Sequence, residues 1–215
     1  MKVEMHMHTY RSSDGLITPR DVKNALSRGK VDAVCITDHD NAEAWREFKG
    51  LPVICGVEKT IIEGSGNKFH MLIYFLNEPI ASKNFEEVMD RARGQDAFCA
   101  IAHPFDKWRK APENLEHYAK RVDALEVLNA RAMYPFSNAS ARDYAKKHNL
   151  VGIGGSDAHH CSEIGNAYVE CSANDLEEFR KMLKKGKVAV KGGLAPPYVH
   201  LFSTLKKHGI LKPKL

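Results

Sequence analysis

Nearly unbroken apolar runs alternate with amphipathic stretches along most of the chain. The clearest runs are Val31–Thr37, Pro52–Val57, Phe69–Phe75, Phe98–Ala102, Ala124–Leu128 and Leu150–Gly154. Strands that are apolar on both sides belong in a sheet covered on both faces, which is the habit of parallel strands. Between them the pattern predicts helices over 19–28, 42–49, 83–94, 113–120, 137–148 and 174–185. Thr18-Pro19-Arg20-Asp21 reads as a cap followed by proline at the first helical position. Glu63-Gly64-Ser65-Gly66-Asn67 predicts a turn between two antiparallel strands, and Gly192-Gly193-Leu194-Ala195-Pro196-Pro197 a loop before a short C-terminal helix. The chain has 215 residues, with no internal repeat, low-complexity tract or long linker. The expectation is therefore one α/β domain over residues 1–215, either a barrel or a doubly wound sheet.

Some classes are excluded early. No apolar run approaches the roughly 20 residues of a membrane helix. Met1-Lys2-Val3-Glu4-Met5 lacks the apolar core of a secretion signal, so a cytoplasmic location is expected. The five cysteines are scattered, odd in number and without a Cys-x-x-Cys pair, which argues for reduced thiols. The formal net charge of +5 suits an anionic substrate. Much of the excess lies late, in Lys184, Lys185, Lys187, Lys191, Lys206, Lys207, Lys212 and Lys214. A solvated basic face accounts for most of it, and a nucleic-acid footprint is the alternative.

The chemistry collects at strand ends. His6 and His8 close the first strand, Asp38 and His39 follow Val34-Cys35-Ile36-Thr37, and Glu58 follows Val53–Val57. His103 follows Ala100-Ile101-Ala102, and Asp157 and His159 follow Val151–Ser156. His70 alone sits near the start of its strand. In an α/β barrel the carboxyl ends of the strands gather on one face, where sites are built. Imidazole and carboxylate are the ligands of zinc, manganese and iron. His6 and His8 are two apart and point the same way from an extended strand, and Asp157-Ala158-His159 repeats that spacing. His117, His148, His160, His200 and His208 read as histidines without a metal role.

His6-Met7-His8-Thr9, Ser13-Asp14-Gly15, Ile36-Thr37-Asp38-His39-Asp40, Gly56-Val57-Glu58, His70, Ala102-His103-Pro104 and Gly155-Ser156-Asp157-Ala158-His159 stand in order from residue 5 to about 160. Together they resemble the PHP (polymerase and histidinol phosphatase) domain family. The resemblance implies a distorted seven-stranded (β/α) barrel, TIM-barrel-like, holding two or three divalent metal ions and hydrolysing phosphate esters. Carried over residue by residue, it gives His6, His8, Glu58 and Asp157 to a first ion. Glu58 bridges to a second ion, which is also held by His70 and His103. His39, His159 and Asp14 go to a third. Asp38 fits the orientation of a ligand imidazole.

Glu126-Val127-Leu128-Asn129-Ala130-Arg131 resembles another family segment. From it, Arg131 offers a fork for phosphate oxygens and Asn129 a hydrogen bond near the metals. Lys107 and Arg109 follow His103-Pro104-Phe105 on the same loop face. The expected reaction is attack on phosphorus by hydroxide, available at neutral pH because a bound metal lowers the pKa of its water to roughly 7. Asp157, Glu58 and His159 are the catalytic candidates, and either His159 or a water protonates the leaving group. The expected partner is a small phosphorylated molecule. A nuclease or nucleotide phosphatase is one alternative, and a non-catalytic barrel subunit of an RNA-processing complex is another.

Overall fold

The computed structural model describes residues 1–106 and 108–213. Nine strands form one sheet: β1 (Lys2–Glu4), β2 (Ala33–Ile36), β3 (Val53–Ile62), β4 (Lys68–Tyr74), β5 (Phe98–Ile101), β6 (Ala124–Asn129), β7 (Val151–Gly155), β8 (Ala167–Glu170) and β9 (Ala189–Gly192). Their order is β7-β6-β5-β4-β3-β2-β1-β8-β9. The helices are α1 (Pro19–Ser27), α2 (Phe85–Gly94), α3 (Leu115–Ala119), α4 (Pro135–Lys147), α5 (Leu176–Lys184) and α6 (Val199–Lys207). The helix expected over 42–49 is a 3-10 turn, Ala44–Phe48.

The apolar runs are continuous because the strands that carry them are covered on both faces. Leu72 and Tyr74 pack inward with Val3, Met5, Cys35, Phe98 and Ile153. Their neighbours Met71 and Ile73 pack outward with Val88 and Met89 of α2 and Ala141 and Ala145 of α4. Val34 and Ile36 face outward against Val22 and Ala25 of α1, while Ala33 and Cys35 face in. This is the period of two that a strand imposes. Each Leu or Ile so buried contributes about 1.5–3 kcal/mol over an exposed one. At the start of α1, Thr18 and Asp21 form the reciprocal cap that the sequence announces, with Pro19 in the first turn.

Strands β1, β2 and β3 run parallel, as do β5, β6 and β7, whereas β4 is antiparallel to both its neighbours. The sheet then curls until its ends approach. Beyond β1 and β7, His8 N donates to Ala158 O at 2.7 Å and Ala158 N to His6 O at 3.1 Å. Strand β8 stands on the other side of β1, antiparallel to it, and β9, which follows α5, pairs antiparallel with β8. Val190 of β9 reaches β7 so closely that a Cβ on Gly154 would lie 2.5 Å from its Cγ1. The expected count of seven strands is thus corrected to nine, in a nearly closed barrel. The extra two are short, and β9 is largely exposed, so neither leaves an apolar run in the sequence.

Candidate metal centre

The mouth at the carboxyl ends of the parallel strands collects the histidines and carboxylates. His6 and His8 lie just past β1, both fully buried. His39, past β2, bridges to Glu58. Glu58 is not at a strand end as expected, because β3 continues to Ile62 as one arm of a hairpin. That hairpin also explains His70: β4 runs backward, so its start lies at the same mouth, opposite Thr60. His103 and Asp157 turn off β5 and β7 with φ of 31° and 52°. Such left-handed backbone costs non-glycine residues about 1–3 kcal/mol each and concentrates at functional sites.

Atoms able to ligate a metal converge in three groups: His6, His8 and Glu58; Glu58, His70 and His103; His8, His39 and His159. Glu58 Oε2 is 3.5 Å from His6 Nε2 and 3.3 Å from His8 Nε2. Its Oε1 is 3.0 Å from both His70 Nδ1 and His103 Nε2. Asp157 Oδ1 stands 3.3 Å from His8 Nε2 and 3.7 Å from His6 Nε2. Asp14 Oδ2 lies 3.5 Å from His159 Nε2 and 3.7 Å from His39 Nε2.

This donor set fits divalent cations on a structural criterion. Glu58 Oε2, Asp157 Oδ1 and Asp14 Oδ1 are buried without an aligned hydrogen bond among the described residues. The Nε2 atoms of His6 and His8 face each other at 3.2 Å. Buried carboxylate oxygens left without donors, beside imidazole nitrogens that face the same point, are what a cation requires.

A supporting layer fixes which nitrogen two of the imidazoles offer. His6 Nδ1 is 2.8 Å from Glu126 Oε1, which leaves Nε2 for the centre. His159 Nδ1 donates to Asp157 O at 2.7 Å, which leaves Nε2 facing Asp14. Asn129 Nδ2 donates to Glu126 Oε2 and Asp157 Oδ2, each at 3.0 Å. Such partners orient ligand rings and raise their basicity.

The charges are tightly coupled. Burial would raise Glu58, but His70, His39 and His6 hold it well below the usual carboxylate range. Burial likewise works against Asp157, and Arg109 and His6 hold it well down. Burial pulls the His39 imidazole down, yet Glu58 and Asp14 outweigh it and lift the ring to about 10. His159 is pushed down to about 3 by burial and by His8.

All nine expected ligands, His6, His8, Asp14, His39, Glu58, His70, His103, Asp157 and His159, meet at this one mouth. Asp38 does not touch an imidazole. It accepts from Thr9 N at 2.8 Å and from Ser12 Oγ at 2.6 Å, and that hydroxyl is 3.4 Å from His8 Nδ1. Asn129 is buried, with its amide committed to Glu126 and Asp157. Arg131 lines the cleft but is partly engaged: Nη2 donates to Val199 O and Ser203 Oγ, and Nε pairs with Glu163 Oε2 at 3.2 Å. Lys107 lies outside the described residues. Arg109 pairs directly with Asp157. His160 stacks on Phe202, with ring centroids 4.3 Å apart.

Sequence reasoning passed over Glu126, Glu163, Ser12 and Lys207 as individual residues. Glu126 carried the one available signal, a charge inside an otherwise apolar strand. His200, Ser203 and Lys207 join Trp108, Arg109 and Lys110 around a cleft of about 600 Å³ above the ligands.

A histidine–carboxylate cluster at the mouth of an α/β barrel marks a protein built to hold divalent cations. A family model described as PHP-associated matches residues 135–188. An uncharacterized protein of Methanocaldococcus jannaschii is 34% identical over 187 residues, covering 83% of this chain and 73% of that protein. A 3',5'-nucleoside bisphosphate phosphatase of Chromobacterium violaceum is 27% identical, covering 61% of this chain and 53% of the relative. In fold, a two-domain Bacteroides vulgatus protein containing a predicted PHP-like metal-dependent phosphoesterase superposes with a TM-score of 0.73 at 22% identity, over 96% of this chain and 69% of that one. The chain belongs to the PHP domain family.

Proposed function

We propose that this chain is a metal-dependent phosphoesterase that hydrolyses a small phosphate ester, with residues 1–215 acting as one domain. The observation that carries the reading is Glu58, a single buried carboxylate whose two oxygens face two different sets of imidazoles. A carboxylate so shared suits paired cations, and paired cations suit phosphoryl transfer to water. The names of the C. violaceum relative and the B. vulgatus structure point the same way.

His6, His8, Glu58 and Asp157 would hold one ion. Glu58, His70 and His103 would hold a second, and Asp14, His39 and His159 a third. Zinc, manganese and iron all accept these donors. Bound there, such ions supply charge neutralisation and an activated water. The chain's own residues supply the rest. Glu126 and Asn129 keep the His6 ring and the Asp157 carboxylate aimed. Arg109, beside Asp157 in the cleft, stands ready for a phosphate oxygen, and Lys107 is proposed as a second phosphate-binding cation. Arg131 contributes less than a two-pronged fork, because Nη2 and Nε are held by α6 and Glu163. With its Nδ1 committed to the Asp157 carbonyl, His159 would offer Nε2 to the third ion.

A panel of phosphomonoesters, nucleotides and short oligonucleotides tests this. Chelation is expected to abolish phosphate release, and manganese or zinc to restore it. Turnover in ¹⁸O-water is expected to place one labelled oxygen in the product phosphate. Full activity after verified metal removal would refute the proposal. Cleavage confined to the oligonucleotides would favour a nuclease, and purification without metal a scaffold subunit.

A further inference from the structure

Helix α6 is fastened to the site from several directions. Arg131 Nη2 donates to Val199 O at 3.0 Å and to Ser203 Oγ at 2.9 Å. Glu163, which pairs with Arg131, also accepts from His159 N at 3.1 Å and His160 N at 2.9 Å. The stack of His160 on Phe202 adds an apolar tie. The helix is thereby registered against the loop that carries Asp157 and His159. His200, Ser203 and Lys207 fall three and four residues apart, the spacing of one helix face. All three line the cleft.

Lys207, the last of them, brings its ammonium to Asp14 Oδ2 at 3.1 Å. That same oxygen faces His39 Nε2 and His159 Nε2. Asp14 is nearly buried, and its other ion-pair partners among the described residues are these two imidazoles. Lys207, by contrast, is 58% exposed along its side chain. It therefore reaches in from solvent to place a positive charge on a buried carboxylate.

We propose that Lys207 guards the Asp14–His39–His159 group: its ammonium sits on the Asp14 carboxylate until a divalent ion displaces it. An ammonium is a compact charge on a flexible stem, so it can withdraw to water without disturbing the fold. A divalent ion can use the imidazole lone pairs, which an ammonium meets only by hydrogen bonding, and two cations on one carboxylate oxygen repel. The third ion then binds more weakly than the other two, in competition with a side chain of the protein itself. The inference rests on the ion-holding reading of the cluster and not on the reaction catalysed.

Metal-stripped wild type, Lys207→Gln and Lys206→Gln are titrated with Mn²⁺ by calorimetry, and bound ions are counted by elemental analysis. Lys206→Gln makes the same change in net charge one residue away. The expected result is a third ion bound roughly tenfold more tightly by Lys207→Gln alone, as loss of one competing charge predicts, with the first two unchanged. Equal third-ion affinity in all three proteins, an equal gain in both variants, or no third ion in any of them would overturn the proposal. No phosphate ester is present, so failure of the phosphoesterase reading would appear only in the turnover assay.

Discussion

Glu126 Oε1 lies 2.8 Å from His6 Nδ1, deep in the barrel mouth, and so decides which nitrogen of His6 faces the centre. Its other oxygen accepts the backbone N–H of His103 at 2.8 Å. One carboxylate therefore aims a ring in the first ligand set and holds the backbone of a ligand in the second. Glu126→Gln is expected to lower metal affinity about 10–100-fold, the usual cost of losing a ligand's outer partner. Competition with a chromophoric chelator reads this directly, and unchanged affinity would sink the assignment.

Glu58→Gln is expected to reduce occupancy at two sites together, because Oε1 and Oε2 serve different imidazole sets. Elemental analysis after dialysis against a fixed free-metal concentration distinguishes the outcomes. Loss of a single ion would argue against a shared carboxylate.

Ion uptake should depend on pH with a defined sign. His39 is lifted to about 10, so its ring is protonated at neutral pH in the ion-free protein. Its pairing stabilises the ion-free fold fully below the ordinary imidazole value, and that contribution is lost as pH rises through about 10. A cation using His39 must expel the proton, so affinity at that group should rise about tenfold per pH unit between 7 and 9. His159, near 3, is already neutral across that range. Calorimetry in buffers of different ionisation enthalpy should detect close to one proton released with the His39-bound ion. Uptake without proton release would contradict it.

Gly155 ends β7 where the chain presses on His6. An added Cβ would stand 2.4 Å from His6 Cβ and 2.6 Å from its backbone nitrogen. Because the obstacle includes backbone, relief requires movement of the ligand segment itself. Gly155→Ala is expected to destabilise the fold by about 1–3 kcal/mol or more, and to weaken metal binding as well. Denaturant unfolding and metal titration check the two effects, and a wild-type midpoint would be the contrary result.

Much of this site is legible in the sequence because its ligands obey the strand period: His6 and His8 share a face, and Asp157 and His159 repeat the spacing. His70 looked misplaced beside the other candidates, although the antiparallel turn predicted at Glu63–Asn67 already implies that its strand runs backward. Once β4 runs backward, the start of the strand is the mouth. Strands β8 and β9 were hidden because four-residue, partly exposed strands carry no apolar signature, and the pairing of β8 with β1 is a contact between distant parts of the chain. Lys207 read as one more member of a solvated basic face. Only the fold-back of α6, fixed by Arg131 and Ser203, brings it to Asp14.

The reversal at β4 has a further consequence. The turn joining β3 to β4 hangs over the ligands, where Asn67 lines the cleft and donates to Ala111 O at 3.1 Å. Glu63, at the base of that turn, accepts from Glu113 N at 3.1 Å. One wall of the cavity is thus a turn that carries none of the candidate metal-binding residues. Lengthening or shortening the span between Glu63 and Asn67 is therefore expected to resize the entrance while the histidines and carboxylates below it keep their places.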